Sequence, residues 1–247
     1  MGGTHSPILP RLTIVDQVRG LAIIGVVIFH LVWDLDFTNL ITPGLASQPL
    51  WIAFGRLLAG TFMFLVGVSL VLANREAVQW EKAAKRIFMI ALCALLITIA
   101  TYLVFPSAFV FYGILHAIAV ASVIGLVLVQ FRPLFVLALG AFIWLAPLVF
   151  ADPAFDTRWL AWIGFSQSPP VSNDLVPVFP WLGITFVGIA LTRMGLAYNL
   201  DVRFAAKNSQ GATGKFLSFC GQHSLVIYLL HQPLLLGMII PLSNWLT

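Results

Sequence analysis

The chain has 247 residues, of which 60% are hydrophobic and only 9% charged, and its mean hydropathy is +1.00. A soluble domain carries roughly a quarter of its residues charged to keep its surface wet, so soluble globular classes are excluded. The net charge of +4 does not point to nucleic acid, because the basic residues lie in short segments between apolar stretches, as topology signals do.

The apolar residues fall in repeated stretches of about twenty, the length that spans a hydrocarbon core of roughly 30 Å. In chain order the predicted spans are Leu12–Leu35, Leu50–Ala73, Ala84–Phe105, Ala108–Gln130, Pro133–Ala151, Val178–Ala197 and Phe216–Leu242. In lipid each must be a helix, since every backbone polar group needs a partner within its own segment. The fold class is therefore all-α, a polytopic transmembrane helical bundle of about seven spans. Residues 1–247 form a single transmembrane domain. The first apolar run contains Asp16 and Arg19 and reads as a retained span, not as a cleavable signal. Cys93 and Cys220 fall inside spans without a spacing partner, which suits packing and gives no metal or disulfide framework.

Lys and Arg set the expected orientation. Arg11, Arg19, Arg75, Lys82, Lys85, Arg86, Arg132, Arg193, Arg203, Lys207 and Lys215 collect on one side of the predicted bundle. Asp34, Asp36, Asp152, Asp156 and Asp174 collect on the other. The positive-inside rule places the N-terminus in the cytoplasm and the C-terminus outside, in a bacterial inner membrane. The stretch Asp152–Pro177 is then extracytoplasmic, with Trp159 and Trp162 as interface anchors. The stretch Asn208–Gly214 reads as a flexible cytoplasmic linker.

An ionisable residue within a span is expensive and is a functional candidate by default. The first span holds Asp16, Arg19, His30 and Asp34 on roughly one stripe, and Arg19 and His30 lie about 16 Å apart along the helix axis. Such a stripe must face polar partners or a water-filled cavity. His30 and Asp34 are i, i+4 neighbours, so a carboxylate beside the imidazole is expected to orient the ring, an arrangement suited to a general base. Arg56 is expected to pair with Asp34 or Asp174. His116, Asn173, Asp174, His231 and Gln232 are further candidates, and Pro233 is expected to kink the last span. Gly55, Gly60, Gly67 and Ser69 permit close helix approach. No GxGxxG, P-loop, HExxH or GxSxG occurs in a fitting context.

The run Arg11-Leu-Thr-Ile-Val-Asp-Gln-Val-Arg-Gly-Leu-Ala, with His30 and Trp33-Asp34 after it, resembles the opening of the bacterial heparan-α-glucosaminide N-acetyltransferase-like membrane family. Matching blocks follow at Gly60-Thr-Phe-Met-Phe-Leu-Val-Gly-Val-Ser, Gly113-Ile-Leu-His-Ala-Ile-Ala, Asn173-Asp-Leu-Val-Pro-Val-Phe-Pro-Trp and Gly221-Gln-His-Ser-Leu-Val-Ile-Tyr-Leu-Leu-His-Gln-Pro. The first helix is also similar to that of the wider transmembrane acyltransferases, whose arginine and histidine have the spacing of Arg19 and His30. One departure is that the loop from Asp36 to Pro49 contains no histidine, where the eukaryotic lysosomal enzyme carries its catalytic one.

The resemblance implies acetyl transfer from cytoplasmic acetyl-CoA to an extracytoplasmic sugar or amino sugar. On that reading His30 is catalytic, as general base or transient acetyl carrier, and Asp34 orients it. Arg19 and Asp16 serve the acetyl-CoA end, while Arg56, His116, Asn173, Asp174, His231 and Gln232 serve the acceptor. No metal is implied. The expected partners are the lipid bilayer, acetyl-CoA and a glycan or amino sugar, with a homodimer left open. The rival reading is a proton-coupled transporter or flippase that uses the same buried groups as a relay. A cytoplasm-facing tunnel wide enough for pantetheine and ending at His30 would separate the two.

Overall fold

The computed structural model describes residues 12–202 and 211–246. Arg11, Arg203, Lys207 and positions 208–210 of the expected linker lie outside the described residues. The helices are α1 (Thr13–Phe37), α2 (Pro49–Ala73), α3 (Trp80–Val104), α4 (Ile114–Leu128), α5 (Pro133–Val149), α6 (Val178–Ala197), α7 (Ala212–Gln222) and α8 (Ser224–Leu246). Short 3-10 turns at Leu45–Ser47 and Pro153–Asp156 punctuate two of the loops.

Local chemistry explains most of these boundaries. Pro49 and Pro133 open α2 and α5 at the first turn, where a missing N–H costs nothing. The N-terminus of α4 is capped from the side. Gly113 N–H donates to Nδ1 of His116, and Ile114 N–H donates to Oδ2 of Asp174. Residues 212–214 of the expected linker instead form the first turn of α7. The chain then breaks at His223, whose N–H and ring Nδ1 both turn to the carbonyl of Phe219. The expected span Phe216–Leu242 is thus two helices. Pro233 and Pro241 sit inside α8 without ending it.

Among the described residues five helices (α1, α2, α3, α6 and α8) have the length and apolarity to cross a membrane. α4 has 15 residues and α5 has 17. At 1.5 Å per residue α4 extends only about 22 Å, short of a core of roughly 30 Å. The sequence overestimates α4 because Ala108–Gly113 is as apolar as a helix yet runs beside Asn173–Val176. There Asn173 N–H donates to Ala108 O, Val176 N–H donates to Tyr112 O, and Tyr112 bridges Leu175 in parallel.

α6 is the central post, packed against α2, α4 and α5, while α1 packs against α2, α7 and α8 and α3 lies on α4. The core gathers Met63, Ile189, Phe186 and Val136, each with at most 1% of its surface exposed. Two glycines set the α2–α6 distance. A Cβ on Gly67 would meet Thr185 O at 2.1 Å, and one on Gly188 would meet Phe64 O at 2.4 Å. Gly60, expected to share that role, has no neighbour nearer than 3.7 Å to such a Cβ. Exposed Phe88, Leu95, Leu103, Leu148 and Met238 give the bundle the outward apolar belt that lipid requires.

Candidate active site

α1 forms one wall of a cavity of about 1160 Å³. At one end Asp16 and Arg19 of α1, Ser69 of α2, and Arg75, Glu76, Gln79 and Arg86 around the start of α3 line it. At the other end stand His30, Trp33, Arg56, Asn173 and Asp174. Three of the four residues of the predicted stripe, Asp16, Arg19 and His30, therefore face one cavity.

The Arg19 end gathers positive charge. Arg19 Nη1 pairs with Asp16 Oδ1 at 3.1 Å, and its Nη2 donates to Ser69 Oγ at 2.7 Å. Two neighbours therefore hold the guanidinium in one pose, and the buried Asp16 offsets part of its charge. Arg86 lies close enough to Arg19 for the two charges to repel. Arg75 is tied to Asp201 at 2.8 Å. Like charges held on one cavity wall are stabilised by whatever negative group enters between them.

Several expectations at the His30 end are corrected. Asp34 is 1% exposed and absent from the lining. Its Oδ1 accepts from Gln232 Nε2 at 2.8 Å instead of meeting the His30 ring, because α8 brings an amide into the space behind α1. His231 and Gln232 also sit behind α1 and do not line the cavity. The His231 ring centroid lies 4.9 Å from that of His30, and its Nδ1 donates to Tyr228 O at 2.6 Å. His116 does not reach the cavity either, since its ring caps α4 and approaches Thr98 Oγ1 at 3.3 Å. Among the described residues no ion pair joins Arg56 to Asp34 or Asp174. Asp174 accepts instead from Ile114 N–H at 2.7 Å and from Tyr228 O–H at 3.3 Å.

Sequence reasoning did not single out Ser69, Arg75, Arg86 or Tyr228 as site residues. From the sequence Arg86 reads as a topology signal and, with the other cytoplasmic Lys and Arg, as company for Arg19 at the donor phosphates; its position one and a half turns into α3, not at its boundary, is the clue that sets it apart. Tyr228 lies three residues before His231, on the helix face that meets α1.

With that geometry in hand, comparison with known protein families is decisive. Residues 11–233 match the family model described as heparan-alpha-glucosaminide N-acetyltransferase, catalytic. The chain belongs to that family. The match spans α1 through the first half of α8 and so includes every cavity residue named above. No curated protein and no solved structure matches the chain. Among the described residues no group of three or more His, Cys, Asp or Glu could hold a metal ion.

Proposed function

We propose that this membrane protein transfers an acetyl group from acetyl-CoA, held at the Arg19 end of the cavity, to a hydroxyl or amine of a sugar or amino sugar at the His30 end. The observation that carries this reading is the continuity of the cavity between a two-arginine anion site and a histidine about 16 Å further along the same helix. A donor with a phosphate-bearing head and a long flexible arm matches that layout. A guanidinium suits phosphate oxygens because it can donate two parallel N–H bonds, and Ser69 and Asp16 already hold Arg19 in place for them.

His30 takes the proton of the acceptor O–H or N–H as it attacks the thioester carbonyl. The new bond to the acyl carbon forms, the C–S bond breaks, and the proton passes from the ring to the departing sulfur. Asn173, Asp174 and Arg56 are the polar groups available to hold the acceptor. Asp16 positions Arg19. The basic residues at the Arg19 end support a cytoplasmic donor and an extracytoplasmic acceptor in an inner membrane, by the positive-inside rule.

The test is acetyl-CoA binding by thermal shift of the purified protein in detergent. Stabilisation of the wild type and its loss in Arg19→Ala is the expected result. If acetyl-CoA produces no shift in folded wild-type protein, the acetyltransferase reading fails, and the proton-coupled transporter, which uses the same buried groups without a donor site, takes its place.

A further inference from the structure

Among the described residues six buried polar side-chain atoms lack a hydrogen-bond partner, and four of them share one place. They are His30 Nδ1 and Asp34 Oδ2 on α1, and His231 Nε2 and Gln232 Oε1 on α8. The two helices meet here through the His30–His231 ring contact at 4.9 Å and the Gln232–Asp34 hydrogen bond at 2.8 Å. Buried polar groups are almost always satisfied, so a cluster of orphans calls for a physical reason.

Counting donors and acceptors supplies one. Tyr228 O is a carbonyl and can only accept, so His231 Nδ1, 2.6 Å away, carries the hydrogen. In a neutral imidazole the other nitrogen is then an acceptor, which fixes His231 Nε2. Gln232 spends its amide N–H on Asp34, which leaves Oε1 as an acceptor. Asp34 Oδ2 belongs to a carboxylate and accepts as well. Only His30 Nδ1 has no assigned role. As a lone pair it would be a fourth unpartnered acceptor, beside a single spare donor, the second amide hydrogen of Gln232. As N–H it is the donor that the other three lack.

We propose that His30 is held as its Nδ1–H tautomer by the acceptor cluster of Asp34, His231 and Gln232, so that the Nε2 lone pair is the one presented to the cavity. The His231 ring stands 4.9 Å away between centroids, and Asp34 lies one helical turn further along α1. The three residues are positioning residues and not acceptor-binding ones. When His30 gains a proton at Nε2, its Nδ1–H becomes a stronger donor into the same cluster, and the imidazolium is stabilised where it forms. The proposal rests on the acetyl-transfer reading only for the use made of that lone pair, since the tautomer itself is a property of the resting protein.

The experiment is ¹⁵N NMR of the protein labelled at its histidine rings, in detergent at a pH where the rings are neutral. The His30 signals are assigned by their disappearance in His30→Gln. A pyrrole-type Nδ1 and a pyridine-type Nε2 are expected for His30. Asp34→Asn combined with His231→Phe removes two acceptors and adds an amide donor, so the Nε2–H form should take over. If the double variant does not fold, Asp34→Asn alone should shift the balance the same way. A resting Nε2–H form, an even mixture, or a tautomer indifferent to the substitutions would overturn the proposal. None of these readings requires acetyl-CoA, so they are independent of the donor-binding test. In active protein, Asp34→Asn should lower kcat on the order of a hundredfold with the KM for acetyl-CoA unchanged. An unchanged kcat would overturn the role of the cluster in the reaction.

Discussion

Arg86 lines the cavity beside Arg19 with much of its side chain open to solvent, and it has no hydrogen bond or ion pair among the described residues, so it is available to an anion. In the proposed reaction the donor supplies that anion. Replacing Arg86 with Gln removes one charge-assisted contact of about 1.5–3 kcal/mol, so KM for acetyl-CoA should rise roughly ten- to a hundredfold with kcat little changed, as steady-state kinetics would show. Asp156 illustrates the opposite situation at the surface. The Ser166 hydroxyl donates to its Oδ1 at 2.5 Å, as do Ser168 N–H at 2.9 Å and Gln167 N–H at 2.8 Å, and these bonds hold the carboxyl below its ordinary range. A depressed carboxylate stabilises the fold above its ordinary pKa and loses that contribution as the pH falls through the lowered value. Asp156→Asn should therefore speed hydrogen exchange at Gln167 and Ser168 at neutral pH, and the wild-type loop should loosen only in strong acid. Much of the site could be read from residue types, since Arg19, His30, Arg56, Asn173 and Asp174 all reach the cavity. His116, His231, Gln232 and Asp34 were misplaced because a polar residue in a span announces that it is buried, without saying whether it faces the cavity or a neighbouring helix.

Helices α2 and α6 approach so closely that the backbone of one touches the glycines of the other. Gly67→Ala would force a methyl group to within 2.1 Å of Thr185 O, and the resulting separation of the helices should cost about 1–3 kcal/mol. Gly60→Ala meets nothing nearer than 3.7 Å and should gain up to about 1 kcal/mol from better helix propensity. Thermal denaturation of the two variants in one detergent checks both signs. Helix positions were largely available from hydropathy: α5 and α6 begin at the expected residues and α2 one residue earlier. Hydropathy failed where an apolar segment has a non-helical partner, as Ala108–Gly113 has in Asn173–Val176. It failed again at His223, where a turn of the backbone away from helical dihedrals (φ −102°, ψ 15°) leaves hydropathy unaltered. The pairing that decides such cases lies more than sixty residues away in sequence, as in the Ser172 hydroxyl's bond to Phe109 O.

At the scale of the whole bundle, two short apolar helices stand beside five long ones among the described residues. If α4 and α5 each cross with help from their loops, while α7 stays at the surface, the chain traverses the membrane seven times and its ends lie on opposite sides. An alkaline phosphatase domain fused after residue 247 should then be active, since that enzyme matures only outside the cytoplasm, while the same fusion at the N-terminus should be inactive. Activity from the N-terminal fusion alone would invert the orientation. The shared wall of the cavity has one more consequence. Because Arg19 and His30 are fixed on one helix, in the proposed reaction α1 works as a gauge: it measures the donor from its charged head to its reactive carbon. A thioester on a shorter carrier would hold its phosphate or deliver its acyl group, but not both. One residue inserted between the two positions would turn His30 by about 100° out of the cavity, leaving the donor bound and its cargo stranded.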